Sequence, residues 1–152
     1  MENLKRPGVG LSILVLNDKN QVLLSKRLKN NNTMATPGGH IERYEELEDT
    51  CQRELLEETN ISLSKKDFKF LFFKNIIRKE KDYHYIDFYL VCRYPKYQKI
   101  VNTEPESHSD WEWVDLDKVF AEDLNWFYGM EEFIKEMKNK KECEERLLLA
   151  LK

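Results

Sequence analysis

Runs of apolar residues separated by polar turns divide the chain into predicted strands. Residues 9–16 are rich in Val, Leu and Ile, the turn "NDKN" follows, and "QVLLSKR" resumes the extended pattern, so a β-hairpin is predicted. Two further segments, "FKFLFFKNIIR" and "YHYIDFYLVCRY", are also typical of strands. A long polar loop separates them from "DWEWVDL", in which tryptophans alternate with acidic residues.

Helical periodicity is present in the middle of the chain and at its end. Apolar residues recur every four positions after Glu45, namely at Leu47, Cys51 and Leu55. Asn60 marks the predicted end of this helix, because Asn tolerates the left-handed conformation that follows many helices. Asp115 is expected to cap a short helix that reaches Phe120. Residues 128–151 are amphipathic and predict a C-terminal helix with a break near "KNKK".

The order of these elements predicts the fold class. Strands come both before and after the central helix, and the second long helix is last, which favours a mixed β-sheet sandwiched between α-helices, an α/β or α+β fold. A chain of 152 residues is long enough for one domain with a substantial core. It contains no internal repeat and no flexible linker, so residues 1–152 are expected to form a single domain.

Composition and charge limit the classes of partner. Hydrophobic residues make up 41% and charged residues 35% of the chain, values typical of a globular protein. A net charge of -3 provides no general attraction to nucleic acid polymers or anionic membranes. Any phosphate group must therefore be held locally, by a metal ion or by single basic residues.

The cysteines and the first residues suggest a compartment. Cys51, Cys92 and Cys143 are widely spaced, odd in number and form no CxxC pair, so reduced thiols are expected, with Cys92 buried in a strand. The segment "MENLKRPG" lacks the apolar stretch of a secretion signal, and "LSILVL" is far shorter than a membrane span. A cytoplasmic protein is predicted.

The central helix carries an unusual concentration of acid. Glu54, Glu57 and Glu58 stand at i, i+3 and i+4 and share one helix face. Like charges at this spacing cost about 0.2–0.5 kcal/mol per pair, which a solvated helix tolerates, especially if basic residues are interleaved. Between positions 44 and 61, however, Arg53 is the only basic residue. The charge is therefore predicted to be concentrated and not neutralised locally.

A hard divalent cation would resolve this repulsion. Mg²⁺ takes oxygen ligands and typically joins protein carboxylates to substrate phosphates. The pair Gly38-Gly39 allows the backbone to come close and to offer a carbonyl oxygen as a further ligand. Arg53 lies eight residues after Glu45 and is positioned to pair with it, bracing the junction between loop and helix.

These residues form a recognisable motif. Gly39, five residues, Glu45, seven residues and then "RELLEETNI" resemble the Nudix box of the Nudix hydrolase family. Every charged position of the motif matches, and the one departure is Asn60, where the family usually has glycine. The resemblance implies the Nudix fold and a hydrolase that cleaves a nucleoside diphosphate linked to another group, with Mg²⁺ or Mn²⁺.

The resemblance also assigns roles to the residues of the box. It implies that Glu54, Glu57, Glu58 and the carbonyl of Gly38 bind the metal. Arg53 and Glu45 would be the structural pair. A carboxylate would take the proton of the attacking water, with Glu54 as the first choice.

Segments outside the box resemble the MutT-like nucleoside-triphosphate diphosphatases, which clear oxidised or modified nucleotides. They are "RPGVG", "VLLSKR", "PGGHIE", "KDYHY", "EPESHSDWEWV" and "DLNWFYGM". The implied reaction converts an NTP or dNTP and water to the monophosphate and pyrophosphate. The subgroup forms homodimers, here through "WFYGM" or the first strand. The substrate-binding residues implied are Arg27, Gly38, Gly39, His40, Gly129 and Met130.

Several neighbouring residues leave two interpretations open. Tyr83, His84 and Tyr85 alternate across a strand, so only one face can meet a pocket. Glu104 and Glu106 are possible additional metal ligands or bases, although most loop glutamates are neither. For Trp111, Trp113 and the segment "WFY" at 126–128, core packing competes with contact to the base. Thr36 stands where a larger apolar residue is common.

Three alternative functions are considered. An ADP-ribose or other nucleotide-sugar pyrophosphatase often carries a proline shortly after the box, whereas this chain has none between Pro37 and Pro95. A Nudix-fold binding module without catalysis usually shows a substituted box, and no glutamate is substituted here. An RNA cap or diphosphoinositol hydrolase has little support in a small, slightly acidic chain.

Overall fold

The computed structural model describes residues 5–152, so the first four residues of "MENLKRPG" lie outside the described part. The strands are β1 Gly8–Leu16, β2 Gln21–Arg27, β3 Thr33–Ala35, β4 Gly38–His40, β5 Lys69–Arg78, β6 Tyr83–Arg93 and β7 Glu112–Asp115. The helices are α1 Leu47–Thr59, α2 Leu116–Ala121, α3 Tyr128–Met137 and α4 Lys140–Ala150. Short 3₁₀ turns cover Lys65–Asp67 and Lys79–Lys81.

Strand β1 organises a mixed sheet of order β3-β2-β1-β6-β5. It runs parallel to β6 along its whole length, and β5 pairs antiparallel with β6 at the edge. On its other side β1 changes partner, since Gly10 to Ser12 pair with β4 whereas Leu16 pairs with β2. β7 pairs with β2. The two partners of β1 therefore occupy different parts of the strand.

Alternate residues of β1 pack on opposite faces of the sheet. Ile13 and Val15 belong to a core with Cys51 and Leu55 of α1. Leu14 and Leu16 belong to a second core formed with α3 and α4, which contribute Phe133, Met137 and Leu147. The period-two alternation of a strand thus supplies both cores. The predicted sheet between helices is confirmed.

The ends of the predicted helices agree with the structure within a few residues. α1 begins at Leu47 and not at Glu45, because Glu46 is extended and its backbone N–H donates to Asp49 Oδ2 at 2.9 Å. Asn60 is left-handed at φ 65°, which confirms the predicted stop. The break predicted near "KNKK" separates α3 from α4, where Asn139 caps α4 by accepting from the backbone N–H of Glu142.

Two strands were not predicted from the sequence. β3 and β4 have three residues each, too few to show a period, and β4 begins with two glycines. The helix predicted up to Phe120 is α2, and its N-cap is Asp115 as expected. The Asp115 side chain does not cap the helix, however, because its Oδ1 accepts from Gln21 Nε2 at 2.9 Å.

The three cysteines are buried free thiols, and Cys92 lies in β6 as predicted. Burial raises the pKa of the Cys92 thiol well above its usual range, which keeps it protonated and unreactive. Among residues 5–152, no helix combines the length and the apolar character that crossing a membrane requires.

Two leucines of α4 test whether this helix contributes to the core. Leu147 is 0% exposed, whereas Leu149 is 68% exposed. We expect Leu147→Ala to lower the free energy of unfolding by about 2–5 kcal/mol, because it leaves a cavity among α3, α4 and the sheet. Leu149→Ala should change it by less than about 0.5 kcal/mol. Urea denaturation measures both, and equal effects would contradict the observed packing of α4.

Candidate active site

A cleft of about 200 Å³ opens where β1 and β4 meet the ends of β2 and β6. One wall is formed by β4 and by Glu58 of α1, and another by the start of α3. The lining residues are Gly10, Leu11, Ser12, Arg27, Ala35, Thr36, Gly38, Gly39, His40, Glu58, Ile76, Tyr83, Tyr85, Asp87, His108, Phe127, Gly129 and Met130. Residues far apart in sequence therefore share one concave surface.

The two glycines of β4 are required by close approach. A Cβ on Gly38 would lie 2.1 Å from the carbonyl oxygen of Leu11, a backbone atom of β1 that cannot move aside. A Cβ on Gly39 would lie 2.3 Å from Glu54 Oε1. Neither glycine has a positive φ. Absence of a side chain therefore matters at these positions more than backbone freedom, since it lets β4 contact both β1 and α1.

Arg53 is the centre of an ion-pair network at the end of β4. Its Nε donates to Glu45 Oε1 at 3.0 Å, so the predicted pair is present. Its Nη1 donates to Glu54 Oε1 at 2.8 Å and more weakly to Glu57 Oε2 at 3.4 Å. Its Nη2 donates to the carbonyl oxygen of His40 at 2.9 Å. One guanidinium is therefore shared among Glu45, Glu54 and Glu57, so it offsets their charge only in part and the acidic face keeps a net negative charge, as predicted.

Glu58 remains without such compensation. Its carboxylate is only 5% exposed, and Oε1 accepts from the backbone N–H of Gly38 at 3.3 Å. Burial, followed by the neighbouring Glu54 carboxylate, raises the pKa of Glu58. His108 Nε2 lies 3.6 Å from Glu58 Oε2. Burial and the nearby Arg27 charge lower the pKa of His108, so its ring is not a strong counter-charge. A cation bound beside this buried acid would stabilise its charged form.

The donor set fits a hard divalent ion, although it is not preassembled. Within the described residues, no three His, Cys, Asp or Glu side chains converge to hold a metal ion. Glu54 and Glu57 point to Arg53, whereas Glu58 lies at the cleft. All three offer carboxylate oxygens from one helix, the ligands that Mg²⁺ and Mn²⁺ prefer. Glu54 already lies beside Glu58, whose pKa it raises, so these two carboxylates are neighbours while Arg53 contacts Glu54 from the other side.

Arg27 stands in the cleft with an unused guanidinium. Its Cζ lies 3.9 Å from the centre of the Phe127 ring, a cation–π contact that fixes its plane. Among residues 5–152 its side chain makes no hydrogen bond and no ion pair. The acidic Glu58 interacts with it electrostatically, at longer range than an ion pair. All donors of the guanidinium therefore remain available to an anion.

The other predicted substrate residues line the same cleft. His40 stacks on Tyr85 with ring centres 5.5 Å apart, and its Nε2 lies 2.9 Å from the Tyr85 hydroxyl. Gly129 and Met130 lie at the start of α3. Tyr83 and Tyr85 face the cleft, whereas His84 lies on the opposite face of β6 and contacts Asn75. The expected alternation across this strand is present.

The structure also locates the loop glutamates and the tryptophans for which the sequence left two interpretations open. Glu104 Oε2 lies 3.6 Å from His108 Nε2, and burial together with the charge of Glu54 raises the pKa of Glu104. Glu106 is exposed and does not line the cleft. Trp111 packs against the α1 core and donates to the carbonyl oxygen of Glu58 at 3.1 Å. Trp113 also packs there, which favours the core interpretation for both tryptophans.

Sequence reasoning missed three polar residues of the cleft: Ser12, Asp87 and His108. A signal existed for Asp87, because it interrupts the otherwise apolar strand segment "YIDFYLV". Ser12 likewise sits within an apolar strand, although a hydroxyl is a weaker signal. His108 lies in a polar loop, where nothing in the sequence distinguishes it from neighbouring residues.

The comparison with protein families agrees with the motif. The model of the NUDIX domain matches residues 6–137, which is most of the chain. The chain belongs to the Nudix family. It is a Nudix hydrolase, an enzyme class that generally depends on divalent metal ions.

Solved structures share this Nudix fold at low sequence identity. The MutT NUDIX hydrolase of Burkholderia pseudomallei is 21% identical, covers 86% of this chain and 98% of its own, and has a TM-score of 0.75. The NUDIX domain of Shewanella oneidensis NrtR, solved with ADP-ribose, is 20% identical, with coverages of 95% and 90% and a TM-score of 0.71. A bifunctional NMN adenylyltransferase/ADP-ribose pyrophosphatase of Francisella tularensis, solved with AMP and a Mn ion, is 20% identical, with coverages of 93% and 43% and a TM-score of 0.69.

Arg53 should stabilise the Nudix box as a structural residue. We expect Arg53→Gln to lower the free energy of unfolding by about 2 kcal/mol, because it removes charge-assisted hydrogen bonds to Glu45 and Glu54 and leaves their carboxylates to repel each other. Arg43→Gln is the matched control, since Arg43 is exposed and, within residues 5–152, its side chain contacts the ring of Tyr44 and forms no ion pair. Urea denaturation compares the two, and equal stabilities would contradict a bracing role for Arg53.

Proposed function

We propose that the chain hydrolyses nucleoside triphosphates, canonical or modified, to the monophosphate and pyrophosphate with Mg²⁺ as the cation. The observation that carries this proposal is the position of Arg27. An unpaired guanidinium and the buried carboxylate of Glu58 line one cleft. A polyphosphate needs both features, one to bind its oxygens directly and one to hold the cation that accompanies it.

Local binding of phosphate is necessary because the chain as a whole is acidic. With a net charge of -3, no general field draws an anion to the surface. The fork of Arg27 can bind two phosphate oxygens at once, and its stacking on Phe127 limits the rotamers it must lose on binding. His40 lines the cleft beside Gly39 and can donate a further hydrogen bond to a phosphate or a ribose.

Glu54, Glu57, Glu58 and the Gly38 carbonyl would hold Mg²⁺, and Mn²⁺ has the same preference for oxygen ligands. When bound, the cation draws charge from the phosphate oxygens and makes a neighbouring water more acidic. Repulsion among the carboxylates would decrease at the same time.

The protein's own groups supply the remaining chemistry. Glu54 is the proposed general base, because its carboxylate lies against Gly39 at the cleft edge and Arg53 holds its other side. Arg53 also anchors the backbone of His40, so the base and the phosphate-binding strand move as one unit. The aromatic rings of Tyr83, Tyr85 and Phe127 form walls that suit a flat nucleobase.

An ADP-ribose pyrophosphatase is the second candidate, because two of the similar structures are an ADP-ribose complex and a protein named for that activity. We rank it lower, since no proline follows the box before Pro95. A binding module without catalysis ranks lower still, because every glutamate of the box is present. A homodimer, a cytoplasmic location and a role in clearing damaged nucleotides stay predictions.

A panel of canonical, oxidised and methylated NTPs and dNTPs, with ADP-ribose included, tests the proposal. With Mg²⁺ we expect NTPs to give monophosphate and pyrophosphate at higher kcat/KM than ADP-ribose gives AMP. Glu57→Gln and Glu58→Gln should each lower kcat/KM by at least about 100-fold, because each removes a charged ligand of the cation. Glu48→Gln is the control, since Glu48 lies in the first turn of the same helix and does not line the cleft.

Three outcomes would contradict the proposal. Faster release of AMP from ADP-ribose than of pyrophosphate from every NTP would favour the second candidate. No Mg²⁺-dependent hydrolysis of any nucleotide would favour a binding module. Equal activity of Glu58→Gln and wild type would remove the proposed role of the α1 carboxylates.

A further inference from the structure

Asp87 is a buried acid that the proposed hydrolytic chemistry does not use. It lies in the middle of β6, opposite Gly10 of β1 in the parallel register, and is 8% exposed. Its side chain lines the floor of the cleft. Burial raises the pKa of Asp87 to about 6, and a hydrogen bond from Ser12 partly offsets this effect. A charge on this group is therefore held in a place that is costly for it, as expected of a position kept for a ligand.

The Asp87 carboxylate has one oxygen fixed by the protein and one oxygen left over. Ser12 Oγ donates to Oδ2 at 2.8 Å. Tyr89 is close by, but its hydroxyl donates its proton to the carbonyl oxygen of Gly129 at 2.7 Å. Within residues 5–152, Oδ1 accepts no hydrogen bond. Oδ1 is not among the fully buried oxygens and is reached from the cleft, so its lone pairs are available to a donor that arrives with a ligand.

Two glycines keep the space above this carboxylate open. A Cβ on Gly129 would lie 3.3 Å from both Asp87 Oδ2 and Ser12 Oγ, and a Cβ on Gly10 would lie 3.6 Å from Asp87 Oδ1. Any larger residue at either position would begin to cover the acid. The floor of the cleft is therefore polar and accessible, whereas Ile76 and the aromatic residues around it are apolar.

The surroundings select a flat ligand with N–H groups on its edge. Tyr83 and Tyr85 of β6 and Phe127 before α3 form the aromatic sides of the cleft. Arg27, which we assign to the phosphates, stacks on Phe127. A nucleotide whose phosphates lie near Arg27 and Glu58 would place its base among the aromatic rings and direct the edge of that base to Asp87.

We propose that Asp87, oriented by Ser12, reads the nucleobase by accepting hydrogen bonds from its edge, and that the preferred base is guanine. This inference rests on the proposed function for the placement of the phosphates. A carboxylate can only accept, so it favours a base with adjacent donors. Guanine offers N1–H and the 2-amino group side by side. Oδ1 can accept from one of them, and Oδ2, which keeps a second lone pair beside its hydrogen bond from Ser12, can accept from the other.

The other bases match a carboxylate less well. Hypoxanthine has N1–H but lacks the 2-amino group, so it forms one of the two hydrogen bonds. Adenine and cytosine each place an amino group beside an acceptor nitrogen, which a carboxylate repels. Uracil and thymine have one N–H between two carbonyl groups. Because GTP and ITP differ only in the 2-amino group, comparing them isolates the contact that we assign to Asp87.

The test compares GTP and ITP on wild type, Asp87→Asn and Ser12→Ala. One hydrogen bond to a charged group corresponds to a preference of about tenfold or more, so wild type should show at least that ratio of kcat/KM for GTP over ITP. Asp87→Asn should reduce this ratio to no more than about twofold. The amide NH2 group of Asn would face one of the two guanine N–H donors, and two donors cannot form a hydrogen bond with each other. Ser12→Ala should lower the ratio less, since the carboxylate remains but loses its orientation. Asp18→Asn is the matched control, because Asp18 pairs with Lys96 in an exposed turn outside the cleft.

Binding of GMP and IMP, measured by calorimetric titration, separates this inference from the proposed function. If no NTP is hydrolysed, the hydrolase proposal fails, yet tighter binding of GMP than of IMP that is lost in Asp87→Asn still supports base reading by Asp87. If NTPs are hydrolysed but wild type does not discriminate GTP from ITP, the inference is wrong and the hydrolase proposal stands. An unchanged ratio in folded Asp87→Asn overturns it as well. Should that variant fail to fold, an unchanged ratio in Ser12→Ala overturns it.

Discussion

The close contact of β4 with both β1 and α1 is the constraint on which the site depends. Gly38 allows β4 to reach the carbonyl oxygen of Leu11, and Gly39 leaves room for the Glu54 carboxylate. The same approach brings the Gly38 amide to Glu58. Any side chain at these positions would separate the helix from the sheet and remove the acids from the cleft. A three-residue strand therefore sets the geometry of a thirteen-residue helix.

Electrostatics divides the acids of the site into two kinds. Glu45, Glu54 and Glu57 share Arg53, so the free protein tolerates them without a ligand. Glu58 and Asp87 are buried, and the groups that hydrogen-bond to them are a backbone amide and a hydroxyl, not cations. Burial of such groups costs stability, as expected of positions kept for ligand binding. The acids that share Arg53 stabilise the fold, whereas the two buried acids are the ones that we assign to ligand binding.

Sheet topology explains why residues from so many elements meet. β1 pairs with β4 on one side and with β6 on the other, and residues of all three strands line the cleft. The parallel register with β6 places Asp87 beside Gly10, and β6 also supplies the two cleft tyrosines. Arg27 ends β2, and α3 begins at the far wall with Gly129 in its first turn. Arg27 thus lies at the end of a strand, whereas Ser12 and Asp87 lie within strands, and all three line the cleft.

Local pattern alone determined the main strands, the helical periods, the stop at Asn60 and the break before α4, because each depends on neighbours in sequence. The spacing of the box likewise identified Arg53 with its acids, and only tertiary structure showed that this one guanidinium neutralises part of them. β3 and β4 have no period of their own and exist because β2 and β1 pair with them. An acid within an apolar strand marks Asp87 as unusual, but only the tertiary structure brought Ser12, Asp87 and His108 together in one cleft, because their neighbours there are distant in sequence.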